Sequence, residues 1–133
     1  MELHRDYNTI SMGVLHDFFG CLALENRDKI LARNQKLLRE NLQTLDAWVQ
    51  GEPLISYVKP QAGTIALLKY DLPIGSRDFC IRLLQRYGVM FTPGEALDVE
   101  GYLRIGFANN PEVLKSGLPR VSQFLRELAA ELQ

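Results

Sequence analysis

The sequence predicts an α/β (α+β) fold in which helices pack against a small sheet of about four strands. Two observations carry this expectation. Apolar residues return at helical spacing over the first 50 residues, again in the middle and again near the C-terminus. Between these stretches lie short apolar runs bounded by glycine and proline, as strands are. With 133 residues, 47% of them hydrophobic and 23% charged, the chain suits one globular domain.

Two helices are expected to open the chain. The first covers residues 11–24 and carries an unusually wide apolar stripe, which needs covering on several sides. Asn26 is placed to cap the second, which Gly51-Glu52-Pro53 ends. At 1.5 Å per residue this helix would be on the order of 35 Å long. We therefore expect residues 1–133 to form one domain, with residues 11–50 as a helical connector and residues 53–133 as a sheet-and-helix body.

The body contains four strand-like runs bounded by turn-forming residues. They are residues 54–58, 64–68, 89–91 and 102–108. The first two are separated by Pro60-Gln61-Ala62-Gly63 and form a candidate hairpin. Ser76 is expected to cap a helix that Gly88 ends in the left-handed conformation. Pro111 opens a closing helix, which Pro119 is expected to kink or restart.

The composition argues against several classes of function. A formal net charge of −1 gives no strong field that would attract nucleic acid. Cys21 and Cys80 are far apart and lack metal-ligand spacing, so they predict neither a disulfide framework nor a zinc site, and both suit small apolar fillers. No apolar run approaches the ~20 residues that span a bilayer, and no signal peptide is recognisable. We expect a cytoplasmic protein with no nucleic-acid or membrane partner.

Arg104 gives the clearest chemical signal. Because side chains alternate along a strand, Arg104 shares a face with Tyr102, Gly106 and Ala108. Glycine in a strand often marks close approach by a ligand, so Gly106 leaves room for an anion that a guanidinium could bind in bidentate fashion. Taken alone, the pattern is more often that of an arginine that is solvated or paired with a surface carboxylate.

Longer motifs follow one another in a distinctive order. They are Arg33-Asn34, Trp48-Val49, the run Lys59-Pro60-Gln61-Ala62-Gly63-Thr64, Asp78-Phe79-Cys80, Leu83-Leu84, the run from Gly88 to Gly94 and the run Gly101-Tyr102-Leu103-Arg104-Ile105-Gly106-Phe107-Ala108. In this order they resemble the last third of class I and II aminotransferases of the aspartate-aminotransferase type. The resemblance covers nearly the whole chain from about Tyr7 onward.

The resemblance implies both a fold and a function. The fold is the small domain of fold-type I pyridoxal-phosphate (PLP) enzymes, a mostly antiparallel sheet of about four strands preceded by a long helix. The function is that of a PLP-dependent transaminase of amino-acid metabolism, a homodimer acting on an amino acid and a 2-oxo acid. Arg104 matches the arginine that binds the substrate's α-carboxylate in such enzymes, and a planar guanidinium suits that group better than an ammonium does.

Such chemistry requires a lysine that forms a Schiff base with the cofactor. Four lysines suit solvated positions in helices or at a strand end: Lys29, Lys36, Lys69 and Lys115. Lys59 follows Ser56 in a spacing like that of the family's cofactor lysine, but it lies directly before Pro60, where the resemblance places a structural strand. We therefore expect no catalytic or cofactor-binding residue in this chain, a missing N-terminal large domain, and no activity or cofactor binding by the chain alone.

Other candidates lie outside these motifs. Enzymes similar to this chain place the segment before the first helix near the subunit interface, so Arg5 or Tyr7 could reach a neighbouring active site. The same segment equally suits a frayed chain end. His16, among the apolar residues of the first helix, suits a histidine at an interface or in the core better than a catalytic base. Asp98 and Glu100 suit solvated loop positions.

Two hypotheses remain open at this stage. In the first, the chain is part of a transaminase with Arg104 as its carboxylate anchor, and the wide apolar stripe of the first helix contacts the large domain or a second subunit. In the second, the chain is a stand-alone, non-catalytic assembly or ligand-binding module, and Arg104 is a surface ion-pair partner. An in-frame extension of roughly 200 or more residues upstream, containing a Schiff-base lysine, would favour the enzyme.

Overall fold

The computed structural model describes residues 13–132. Its elements in chain order are the helices α1 (Val14–Glu25) and α2 (Arg27–Gly51), the strands β1 (Ile55–Tyr57) and β2 (Ile65–Tyr70), α3 (Ser76–Tyr87), β3 (Thr92–Pro93), a 3₁₀ turn (Gly94–Leu97), β4 (Tyr102–Gly106) and α4 (Pro111–Glu131). The described residues up to Lys36 form one compact unit, and those from Leu37 onward form a second.

The α1 helix is exposed along its whole length, including the large apolar side chains of its predicted stripe. Cys21 is exposed as well, so its expected role as an apolar filler is wrong. Asn26 precedes α2 as expected, but its side-chain Nδ2 donates to the carbonyl oxygen of Leu22 at 2.9 Å. Within residues 13–132, no N–H donates to the side-chain Oδ1 of Asn26, so the predicted side-chain cap of α2 is wrong.

The four strands form one antiparallel sheet in the order β1-β2-β4-β3. The predicted fold class and the β1–β2 hairpin are thereby confirmed. The strand predicted at residues 89–91 is wrong, because pairing begins only at Thr92, which faces Arg104, and includes just one further residue, Pro93. The short apolar run after Gly88 therefore leads into the edge strand β3 but is not itself paired in the sheet.

One face of the sheet is buried in the core, and its other face is open. In β2, exposed and buried residues alternate strictly, as they do when one face packs and the other does not. The buried face packs with side chains from the second half of α2, from α3 and from α4, of which Leu45, Phe79, Leu83, Phe124 and Leu128 are fully buried. Burying each such side chain stabilises the fold by roughly 2 kcal/mol. Cys80 also lies in this core, where burial raises its thiol pKa to about 11.

The helix ends test the remaining sequence predictions. Gly88 has φ 65° and ψ 22° and ends α3 in the left-handed conformation, as predicted. The predicted cap by Ser76 is wrong: Gly75 precedes the helix, and Ser76 is its first residue. The α4 helix continues through Pro119 without restarting. Leu118 and Val121 are both buried, and this packing keeps the two halves of α4 in one helix despite the missing N–H.

Candidate anion-binding face of the sheet

Arg104 lies at the centre of β4, on the face of the sheet opposite the core. Its neighbours along the chain, Leu103 and Ile105, are buried, whereas Arg104 itself is half-buried. Its Cα partners are Leu67 of β2 and Thr92 of β3. The alternation expected along this strand is therefore present. We call this side of the sheet the open face, and its residues are Ser56, Ile65, Leu67, Lys69, Thr92, Tyr102, Arg104 and Gly106.

The open face carries positive charge and no carboxylate. Lys69 and Arg104 are its charged residues, and the other six are neutral. Within residues 13–132, the Arg104 side chain has no ion pair and no hydrogen bond. A half-buried guanidinium whose N–H groups make no hydrogen bond to residues 13–132 is well suited to donate to a carboxylate or a phosphate.

Space for such an anion exists beside Arg104. Gly106 is exposed, and a Cβ added to it would meet no atom within 4 Å. Leu67, which faces Arg104 from β2, is 38% exposed and gives this part of the open face an apolar surface. The arrangement combines a cation, an open approach and a partly apolar surround, which suits a small carboxylate with an organic body.

Lys59 is tied to α2 rather than to the open face. Its Nζ lies 2.6 Å from Oδ2 of Asp46, and the Tyr57 hydroxyl donates to Oδ1 of the same carboxylate at 2.7 Å. The hydrogen bonds from Lys59 and then Tyr57 lower the pKa of Asp46. Lys115 is exposed, as expected, and also pairs with Glu112 at 3.2 Å. Lys69 is exposed on the open face.

Glu100 has a structural role that the sequence did not reveal. It accepts from the Ser76 backbone N–H at 2.6 Å and from the Ser76 hydroxyl at 2.9 Å, at the start of α3. The bonds from Ser76 lower the pKa of Glu100, and burial together with this carboxylate raises the pKa of Tyr70 to about 12. Glu100 is exposed, as expected, and its bonds to Ser76 are an addition to that expectation; Asp98 is exposed as expected, at φ 56°.

Asn41 of α2 is a buried polar residue that contacts the segment directly after β4, the strand of Arg104. It was not singled out from the sequence. Its side chain is 1% exposed, and its Nδ2 donates to the carbonyl oxygens of Phe107 at 2.8 Å and of Asn109 at 2.7 Å. A signal was available, because Asn41 precedes Leu45 and Val49 at intervals of four along the buried face of the helix. A polar residue in such a stripe needs a partner.

The remaining candidates do not add to this face. His16 is exposed on α1, so it is not a core histidine in this chain, and its expected place at an interface stays a prediction. Arg5 and Tyr7 lie outside the described residues. Between residues 13 and 132, no three His, Cys, Asp or Glu side chains cluster as metal ligands would. In the same span, every helix is too short or too polar to cross a bilayer.

Comparison with known proteins shows the family to which the chain belongs. A family model described as "Aminotransferase class I and II" matches residues 9–121. Capreomycidine synthase of Streptomyces vinaceus is 30% identical over 122 residues, which are 91% of this chain and 31% of that protein.

Solved structures agree with the sequence match. A PLP-dependent aminotransferase from Streptococcus suis 89-1591 superposes with a TM-score of 0.90 at 42% identity, covering 96% of this chain and 34% of that one. The PLP-dependent cyclase OrfR superposes with a TM-score of 0.84 at 27% identity, covering 92% of this chain and 34% of that one. The chain therefore spans about a third of the length of these proteins. On this evidence, the chain belongs to the class I and II aminotransferase family.

Proposed function

We propose that this chain is the C-terminal, substrate-binding part of a PLP-dependent transaminase acting on an amino acid, and that Arg104 binds the substrate's α-carboxylate. The observation that supports this most directly is that the guanidinium of Arg104 has no ion pair or hydrogen bond within residues 13–132 and lies among open-face residues that carry no carboxylate. An arginine that served only as a surface ion-pair partner would be expected to have an acidic neighbour. The spacing of Arg104 and Gly106 and the open space beside the glycine support the same role.

The chemical contribution of Arg104 is orientation. Arg104 lies on β4, which pairs with β2 on one side and β3 on the other. The backbone that carries the side chain is therefore fixed before the substrate arrives. Two parallel N–H···O bonds to a carboxylate fix both the distance and the plane of the bound acid. The rest of the amino acid is then presented in one direction, which lowers the entropic part of the barrier to reaction.

The described residues do not fit the cofactor itself. All five lysines of the chain are exposed, and Lys59 and Lys115 are engaged by carboxylates. A lysine that reacts with a carbonyl needs a lowered pKa, which burial or a cationic neighbour provides. We therefore assign pyridoxal phosphate and the catalytic residues to an N-terminal large domain outside this chain, and we expect the chain alone to be inactive.

The assembly partners follow from the same proposal. Val14, Leu15, Phe18 and Phe19 of α1 are each at least 60% exposed, which is unusual for a surface that stays in water. We assign this stripe to contact with the large domain or the second subunit of a homodimer. Arg5 and Tyr7 precede it in the chain and are proposed to lie towards the neighbouring subunit's active site. A 2-oxo acid is the expected second substrate.

The test is substitution of Arg104 in the complete enzyme, with L-alanine as a probe because its side chain is minimal. Arg104→Ala is expected to raise the apparent dissociation constant of L-alanine roughly 100-fold, since a charged bidentate contact is lost. Cofactor absorbance should be unchanged. Lys69→Ala, which removes the other cation of the open face, is the matched control and should change binding by no more than about fivefold. Equal effects of the two substitutions would overturn the assignment.

A further inference from the structure

We propose that Asn41 is the positioning residue for Arg104, because it fixes the segment that follows the arginine's strand. This inference rests on the proposed carboxylate-binding role of Arg104. The fully buried polar side chains of residues 13–132 are few, and Asn41 is the largest of them. Its amide donates both protons to backbone carbonyls of one short segment, at Phe107 and Asn109.

The peptide groups of Phe107 are held from two sides. The N–H of Phe107 donates to the carbonyl oxygen of Thr64 at 2.9 Å, and its carbonyl accepts from Asn41 at 2.8 Å. Thr64 directly precedes β2, and Phe107 directly follows β4. These two bonds therefore close the end of the β2–β4 ladder that lies nearest to Gly106. In that ladder Leu67 faces Arg104, so the register of the arginine is fixed by the same contacts.

Asn41 can fix this segment because α2 is itself anchored. Leu45 and Val49 lie one and two turns further along the helix, and both are buried in the core. Removing the amide would leave the buried Phe107 carbonyl and the partly buried Asn109 carbonyl without these donors, and the chain would move to relieve the loss. A bidentate contact is sensitive to such movement, since a displacement of about 1 Å can cost on the order of 100-fold in rate.

A buried polar link elsewhere provides a matched control. Ser122 of α4 is also buried, accepts from Trp48 Nε1 at 2.8 Å and donates to Glu52, so it joins α2 and α4. None of these contacts involves β4. Ser122→Ala should therefore lower stability while leaving the affinity for the substrate's carboxylate unchanged. Comparing it with Asn41→Ala separates a positioning role of Asn41 from a general loss of packing.

The test is a double-mutant cycle in the complete enzyme, with the dissociation constant of L-alanine read from cofactor absorbance. Asn41→Ala is expected to raise this constant about tenfold when Arg104 is present and by less than about twofold in the Arg104→Ala background. Asn41→Asp keeps the side-chain outline and removes the donors, so it serves as the second variant and should show the same coupling. Ser122→Ala should leave the constant unchanged in both backgrounds.

Each outcome decides between the claims. Equal losses from Asn41→Ala or Asn41→Asp in both backgrounds would overturn the positioning role while leaving Arg104 as the anchor. No loss from either Asn41 variant, with Arg104→Ala still impaired, would do the same. If Arg104→Ala itself leaves L-alanine binding unchanged, the proposed carboxylate site fails and the role of Asn41 fails with it.

Discussion

Arg104 differs from several other arginines of the chain in what surrounds it. Arg77 pairs with Glu95, Arg82 with Asp78 and Arg86 with Glu131, each between partly exposed side chains. Surface pairs of this kind contribute little to stability. Arg104 instead lies half-buried beside an exposed glycine, with its donors unused by residues 13–132. The part of the chain that the structure describes therefore leaves the Arg104 guanidinium available to a ligand.

Part of this environment was predictable from the sequence, and part was not. Strand alternation placed Arg104 and Gly106 on one face, because the period of two is a local property of the backbone. That Arg104 has no ion pair within residues 13–132 depends on where distant carboxylates lie, which a local pattern does not indicate. The same limit explains Asn41, whose partner Phe107 is 66 residues away, and Glu100, which binds Ser76 across 24 residues.

Glu100 gives the pH dependence expected of a residue that is hydrogen-bonded only when the chain is folded. Its pKa is lowered by the Ser76 backbone and hydroxyl bonds, so its folded pKa lies below the unfolded value. The stabilisation is therefore present above the unfolded value of about 4.3 and is lost as pH falls through the folded pKa. Glu100→Gln should lower the urea midpoint at pH 7, and the difference from the wild type should shrink at pH 3.

Asp46 and Glu131 also have lowered pKa values, so they too contribute to the pH dependence of stability. Both residues are present in the wild type and in Glu100→Gln. Their contribution cancels in the difference between wild type and Glu100→Gln. A difference between the two urea midpoints that stays constant from pH 7 to pH 3 would mean that the Glu100 bonds do not form in solution.

Elements were predicted well where their signals are local. The left-handed end of α3 follows from Gly88 alone, and the β1–β2 hairpin follows from two apolar runs around Pro60-Gln61-Ala62-Gly63. The edge strand β3 was predicted at the wrong residues because its position depends on which residues pair with β4. The short apolar run that suggested the strand carries no information about that pairing. The cap of α3 was misplaced because the helix begins at Ser76, and a carboxylate from another loop satisfies its first N–H.

The turn between β3 and β4 requires a glycine at its start. A Cβ on Gly94 would lie 2.0 Å from the carbonyl oxygen of Val99 and 2.6 Å from that of Tyr102, and neither backbone atom can swing aside. Gly94→Ala should therefore lower the free energy of unfolding by about 3 kcal/mol. Chemical denaturation measures this.

Gly117 is the matched control for this change. It lies within α4, and an added Cβ would meet no atom within 4 Å. Gly117→Ala should raise the free energy of unfolding by up to about 1 kcal/mol, because alanine favours a helix. Equal effects of the two substitutions would show that the crowding at Gly94 is absent in solution.

At the scale of the whole molecule, the order of the motifs was more informative than any single one. The resemblance drawn from that order agrees with the family match over residues 9–121. The order and spacing of many short runs identify a family more specifically than a single arginine does. The division into a connector at residues 11–50 and a body at residues 53–133 stays a prediction. The placement of a large domain before this chain is likewise a proposal, supported by its spanning about a third of its relatives.

The central claim is that Arg104 recognises the carboxylate of an amino acid, and selectivity between L-alanine and ethylamine tests it most directly. These two amines differ chiefly in the carboxylate. In the complete enzyme, the wild type should bind L-alanine roughly 100-fold more tightly than ethylamine, and Arg104→Ala should lose most of this preference while keeping its cofactor absorbance. A variant that retained the full preference would show that another group holds the carboxylate.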